Sequence, residues 1–100
     1  MRVAFIGYGE VASAFSAAVA ARGNEVAAYD VLLDQPGGLE RLKARAGTTP
    51  IAFRSLPEAV GSAEYILSTV TTSVAQEAAR RCVPHLHTGQ RFVDFNATDP

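Results

Sequence analysis

The chain has a single cysteine in 100 residues. One thiol can neither close an internal disulfide nor supply a zinc site, and the expected home is the reducing cytoplasm. Neither sign of charge is in excess: nine basic and ten acidic side chains leave a net charge of −1. Without a basic field the chain cannot hold a nucleic-acid backbone, which excludes that partner. No apolar run reaches the roughly 20 residues that a membrane-spanning helix needs. Arg2, a short apolar run and the alanine-rich residues 11–21 have the outline of a signal peptide. Two glycines and Glu10 interrupt that run where an h-region must be continuous. Glycine (8) and proline (5) are not enriched, and 48% apolar against 19% charged is a globular mixture, neither disordered nor collagenous. The length allows one domain at most.

What is present alternates between two periods. Val3-Ala4-Phe5-Ile6 is apolar at consecutive positions and stopped by glycine, which predicts a strand buried on both faces of a parallel sheet. Val11, Phe15, Ala18 and Val19 then recur at helical spacing as one apolar stripe, and Gly23 stands where a C′ glycine belongs. Residues 25–29 form a second strand ending at Asp30, so the chain opens with a right-handed strand–helix–strand unit. A turn-rich loop over 34–38 leads to a short helix (Leu39, Leu42, Ala46) stopped by Gly47. A weak third strand follows at 50–53, expected at the sheet edge, and then a short helix over 56–63. Residues 65–70 are a fourth strand. Val74, Ala78, Cys82 and Leu86 repeat every four residues and predict a helix over 73–83 capped by Thr72 or Ser73. Residues 92–95 are a fifth strand. This alternation predicts an α/β fold: a Rossmann-like, doubly wound parallel sheet in the order 3-2-1-4-5 with helices on both faces.

The first turn carries the chemistry. Gly7-Tyr8-Gly9-Glu10-Val11-Ala12 fits G-x-G-x-x-G/A, directly after a predicted strand and at the start of a predicted helix. Asp30 ends the next strand, 18 positions after Ala12. In that setting the hexapeptide is a dinucleotide-binding fingerprint, and the other reading is a structural glycine turn that binds nothing. Gly7 permits the tight turn, Gly9 lets a pyrophosphate approach the backbone, and Ala12 lets the helix lie close to the sheet. The helix start offers free N–H groups and partial positive charge to phosphate. Asp30 accepts hydrogen bonds from ribose hydroxyls and repels a 2′-phosphate. Val31-Leu32-Leu33-Asp34 offers no Arg or Lys to bind that phosphate, so NAD is favoured over NADP. The candidate cofactor-binding residues of this turn are Gly7, Tyr8, Gly9, Glu10, Val11 and Asp30. Glu10 suits the helix dipole but not a neighbouring pyrophosphate, and must point away from it.

Ligands of open α/β sheets lie beyond the carboxyl ends of the strands. Val70 and Thr71 after the fourth strand, and Asn96 after the fifth, occupy such ends. They are candidates to touch the cofactor ribose or the substrate, against an equal case for turn and cap chemistry. His85 and His87 lack the further ligands that a metal site needs, so no metal is expected. Cys82 falls on an apolar stripe, where burial is the default over nucleophilic catalysis. Arg80 and Arg81 lie opposite it and read as a solvated face. No Ser-His-Asp set or carboxylate pair stands at a defensible spacing.

The opening Met1-Arg2-Val3-Ala4-Phe5-Ile6-Gly7-Tyr8-Gly9-Glu10 resembles the start of the β-hydroxyacid dehydrogenases, a group that includes 3-hydroxyisobutyrate and 6-phosphogluconate dehydrogenases. Gly-aromatic-Gly-Glu is similar to its 6-phosphogluconate dehydrogenase-like NAD-binding branch. The strand at 65–70 with its polar turn, and Asp94-Phe95-Asn96-Ala97-Thr98-Asp99-Pro100, resemble later segments of the same family, D-x-[SN]-x-x-x-P in the second case. The chain departs where many members carry Ser-Thr and it has Asn96-Ala97. Glu10 replaces a neutral or basic residue. The resemblance implies hydride transfer between nicotinamide and a small hydroxy acid or related alcohol. It also implies a catalytic lysine and a helical dimerisation domain beyond residue 100. Lys43, the one lysine here, matches no catalytic position, so no catalytic residue is assigned. The expectation is the cofactor part of a longer oxidoreductase that works as a homodimer on a small-molecule substrate. A non-catalytic NAD-sensing module is the alternative. A methyltransferase fits less well, because it would prefer a further glycine where Val11 or Ala12 stands.

Overall fold

A computed structural model describes residues 1–69 and 72–94. The apolar run after Met1 forms β1 (Arg2–Ile6), and its neighbours explain why it is apolar at every position. β1 pairs in parallel with β2 (Glu25–Tyr29) on one side and with β4 (Tyr65–Ser68) on the other, in the registers Ile6 to Tyr29 and Ile6 to Ser68. β3 (Ile51–Phe53) adds to β2, and β5 (Arg91–Asp94) adds to β4. The sheet order is β3-β2-β1-β4-β5, all parallel, as the alternating periods predict.

Alternation along β1 divides the core in two. Val3 and Phe5 join Tyr8, Ala12, Val26, Ala28, Leu42 and Leu67 on one face. Ala4 and Ile6 join Tyr29, Leu56, Val60, Ile66 and Cys82 on the other. The first face is covered by α1 (Glu10–Ala21) and α2 (Gly38–Ala46), the second by α3 (Leu56–Ser62) and α4 (Thr72–Cys82). A central parallel strand with helices on both sides has no polar face to show, and β1 is buried from Val3 to Ile6.

Local signals set the helix limits. Gly23, at φ +88°, closes α1 with its N–H on the Ala20 carbonyl, as expected of a C′ glycine. Ser55 caps α3, its hydroxyl accepting the Glu58 N–H and donating to the Glu58 carboxylate. Gly38 is required by contact: a Cβ there would lie 1.6 Å from the Leu32 carbonyl oxygen. α4 begins at Thr72, one residue earlier than the spacing predicts, and its cap lies outside the described residues.

One expectation is corrected. The stripe of α1 was expected to run through Val11, Phe15, Ala18 and Val19. Instead Ala12 and Ser16 are fully buried, with Val19 and Ala20 beside them, while Val11 (52%) and Phe15 (37%) are exposed. The cause is the Tyr8 ring, which is completely buried against this face and leaves room for small residues alone. Ser16 also satisfies the Tyr8 hydroxyl at 2.9 Å, which an apolar residue could not do. Phe15 packs its ring edge against Phe5, with centroids 6.1 Å apart.

Cys82 is fully buried beneath α4, and burial pushes its thiol pKa up. The thiolate is the reactive form, so the folded chain is predicted to resist alkylation at pH 8 and to react fully once unfolded. Mass measurement after a timed iodoacetamide pulse checks this. Modification of the native chain at the rate of a free thiol would contradict the burial.

Candidate functional site

The carboxyl ends of β1, β2 and β4 meet at the glycine turn. Gly7 leaves β1 at φ +89°, a conformation that a side chain would strain, and its N–H donates to the Tyr29 carbonyl at 2.7 Å. Gly9 is the N-cap of α1 and supplies no capping side chain. A Cβ placed on it meets nothing within 4 Å. The backbone at the start of α1 is therefore open, with first-turn N–H groups available to an anion. Glu10 and Val11 are both exposed in that first turn, where a carboxylate suits the dipole.

Tyr8 meets this crevice through its backbone, because its ring is buried against α1 and lies 5.2 Å, edge to face, from Phe53. The Tyr8 N–H donates to Asp30 Oδ2 at 2.8 Å. Asp30 Oδ1 accepts the Leu32 N–H at 2.9 Å and so caps a short 3-10 turn, Val31–Asp34. One carboxylate thus joins the turn after β1 to the end of β2. Each oxygen keeps a second lone pair for another donor. The structure brings Gly7, Tyr8, Gly9, Glu10, Val11 and Asp30 to one end of the sheet. Val70, Thr71 and Asn96 lie outside the described residues.

Two further residues reach the turn from distant positions, and a third reaches the end of β2. Thr69 follows β4, and its hydroxyl donates to the Gly7 carbonyl at 2.6 Å. The parallel register that sets Ser68 against Ile6 sets Thr69 against Gly7, so strand pairing is the signal that finds it. Arg45, in the last turn of α2, donates through Nη1 to the Tyr8 carbonyl, while its own carbonyl accepts the Ser13 hydroxyl. Arg81 of α4 donates through Nη2 to the Tyr29 hydroxyl at 3.3 Å, and its guanidinium carbon sits 5.6 Å from the Tyr29 ring centroid. The Tyr29 hydroxyl raises the guanidinium pKa above its ordinary value. That hydroxyl in turn donates to Asp34 at 3.1 Å.

Between these groups lies a cavity of about 320 Å³, bounded by Gly7, Asp30, Val31, Leu56, Ala78 and Arg81. That volume is at the lower end for a small-molecule site. It joins the glycine turn to the end of β2 and to α4. A site beyond the carboxyl ends of the strands, with an open glycine at a helix start and an acceptor carboxylate at the end of the second strand, fits the adenosine diphosphate part of a dinucleotide. No group of three or more metal-ligating side chains comes together among the described residues. No helix among them is long and apolar enough to cross a membrane.

Comparison with known proteins agrees with this geometry. A family model described as NADP oxidoreductase, coenzyme F420-dependent, matches residues 2–98. No curated protein matches the chain. Among solved structures, a conserved hypothetical protein from Sinorhizobium meliloti superposes with a TM-score of 0.87 at 29% identity, over 96% of this chain and 32% of that one. The conserved protein MTH1747, described as structurally similar to 3-hydroxyacid dehydrogenases, matches at 34% identity and a TM-score of 0.78, over 100% of this chain and 36% of that one. The 3-hydroxyisobutyrate dehydrogenase of Mycobacterium tuberculosis, 23% identical with a TM-score of 0.79, shares the fold over 98% of this chain and 32% of its own. The chain spans about a third of the length of these three structures. The matches favour an oxidoreductase over a sensing module. On the strength of the match across residues 2–98, this chain belongs to the NADP oxidoreductase, coenzyme F420-dependent family.

Proposed function

We propose that the chain is the dinucleotide-binding part of a longer NAD(P)-dependent oxidoreductase of the 6-phosphogluconate dehydrogenase-like branch. Its reaction is hydride transfer between nicotinamide and a small hydroxy acid or related alcohol. The observation that carries the proposal is the glycine turn tied by the Tyr8 N–H to the Asp30 carboxylate, with Gly7 and Asp30 lining one cavity and the backbone open at Gly9. The nicotinamide supplies the hydride chemistry when the cofactor is bound. The chain's own residues do the binding. The N–H groups that begin α1 face the pyrophosphate, with Gly7 and Gly9 letting it approach, and Glu10 and Val11 frame that helix start. Asp30 takes the ribose hydroxyls on the lone pairs left by Tyr8 and Leu32. Val70, Thr71 and Asn96 are further candidates to touch the cofactor ribose or the substrate. The general acid/base lysine and a dimer-forming helical domain belong to the remaining two thirds of a chain as long as its relatives. This enzyme works in the cytoplasm.

Within that reading NAD is preferred over NADP. Asp30 sits where a 2′-phosphate would be, Asp34 is four residues on, and the intervening 3-10 turn carries no basic side chain. The likeness to hydroxyacid dehydrogenases supports the reaction class, and the span of the chain supports the missing second part.

Two substitutions test the site. Asp30 also holds two backbone N–H groups, so removing the whole side chain would confound binding with folding. Asp30→Asn keeps one of the two acceptors and removes the charge, but turns an amide NH2 toward one of those N–H groups, so its melting temperature is followed beside binding. It is predicted to weaken NADH binding about tenfold and to narrow the gap to NADPH, as expected when one charge-assisted hydrogen bond of about 1.5 kcal/mol is lost. Unchanged affinities for both nucleotides would remove Asp30 from the site. Gly9→Val, at a position where an added Cβ meets no protein atom within 4 Å, is predicted to abolish measurable NADH binding while keeping the melting temperature within a few degrees. Binding unaltered in that variant would place the phosphates elsewhere.

A further inference from the structure

We infer that Arg81 is a contact residue for the adenine ring of the cofactor, its guanidinium lying against one face of the purine at the mouth of the cavity. This rests on reading the cavity as the adenosine end of a dinucleotide site, and it adds a residue that neither the glycine fingerprint nor the acidic end of β2 contains.

Placement comes first. α4 starts near the carboxyl ends of the strands and runs away from them, because it follows β4. Helical side chains lean toward the helix N-terminus. A long side chain at Arg81, in the last turn, is therefore drawn back toward the strand ends. There it borders the same cavity as Gly7 and Asp30. The cavity walls are mainly apolar, from Ile6, Val31, Leu56 and Ala78. A nucleobase, with apolar faces and a polar rim, is the part of a dinucleotide that suits such walls. A phosphate or a free ribose is not.

Chemistry comes second. The Tyr29 ring and hydroxyl hold the guanidinium from one side. The hydroxyl both accepts from Arg81 and donates to Asp34, so the 3-10 turn, β2 and α4 are joined through one phenol. A planar guanidinium has two faces and five N–H donors. The bond to Tyr29 uses one N–H edge and the side chain is exposed, so a guanidinium face can meet an aromatic plane, a stacking that Arg favours and Lys cannot reproduce. Asp30, Val31 and Arg81 line the same cavity, so a ribose held at Asp30 carries its base into the space that Arg81 borders.

The experiment is a fluorescence titration of the chain with NADH, with 5′-AMP as a displacing ligand, for the unmutated protein, Arg81→Met and Arg81→Lys. The expected result is a loss of about five- to tenfold in NADH affinity for Arg81→Met, within the range of a partly desolvated cation–π contact. The same factor is lost for 5′-AMP, which retains the adenosine and lacks the nicotinamide. Arg81→Lys keeps the charge and restores less than half of that loss on a logarithmic scale. Circular dichroism melting of both variants stays within a few degrees of the parent. If Arg81→Met binds NADH or 5′-AMP as the parent does, the inference is overturned while the site reading stands. Full recovery by Arg81→Lys also overturns it, since charge alone would then be responsible. Absence of NADH binding by the unmutated chain overturns the site reading, and the inference with it.

Discussion

The arrangement of the crevice depends on one carboxylate. Asp30 accepts the Tyr8 N–H with one oxygen and the Leu32 N–H with the other, at 2.8 and 2.9 Å. Hydrogen bonds of this charged kind are worth about 1.5–3 kcal/mol each, more than their neutral counterparts. Through them the end of β2 fixes both the glycine turn after β1 and the 3-10 turn that follows β2. The Tyr8 peptide then takes a second restraint on its carbonyl from Arg45, and the Gly7 carbonyl takes one from Thr69. A turn held from three directions keeps its geometry without a ligand. That matters for binding, because an ordered backbone cradle does not have to be organised when a phosphate arrives.

The two cores make this possible. β1 carries alternate side chains to opposite faces, and each face is closed by a pair of helices. The strand ends can therefore be polar and exposed while the strand itself is not. Tyr8 lies at the boundary between the two. Its ring belongs to the core over α1 and α2, with its hydroxyl paired to Ser16, while its backbone belongs to the crevice. A residue of this sort makes the turn rigid, since the backbone cannot shift without moving a fully buried ring. Gly38 does similar work on the far side of the 3-10 turn, where the Leu32 carbonyl leaves no room for a side chain.

Much of this was legible in the sequence because it is local. A consecutive apolar run means a central parallel strand, and Gly7, Gly9 and Asp30 declare themselves by where they stand relative to predicted strands. The sheet order follows from the alternation of periods. Pattern failed where size mattered more than spacing. Val11 and Phe15 have the right period for a buried stripe, yet the Tyr8 ring beneath α1 admits only Ala12 and Ser16. It also failed for contacts made through space. Thr69, Arg45 and Arg81 stand 62, 37 and 52 positions from the turn or strand residues they bind. Arg81 is exposed, as its place on the helix predicts, while its reach back to Tyr29 was not visible in the pattern.

The central claim is that this glycine turn and its carboxylate receive a dinucleotide with an unsubstituted ribose. The most direct measurement is calorimetric titration of the chain with NADH and with NADPH under the same buffer and salt. The account predicts that NADH binds and that NADPH binds at least several-fold more weakly. Tighter binding of NADPH would contradict the role given to Asp30, and failure of the folded chain to bind either would contradict the site itself.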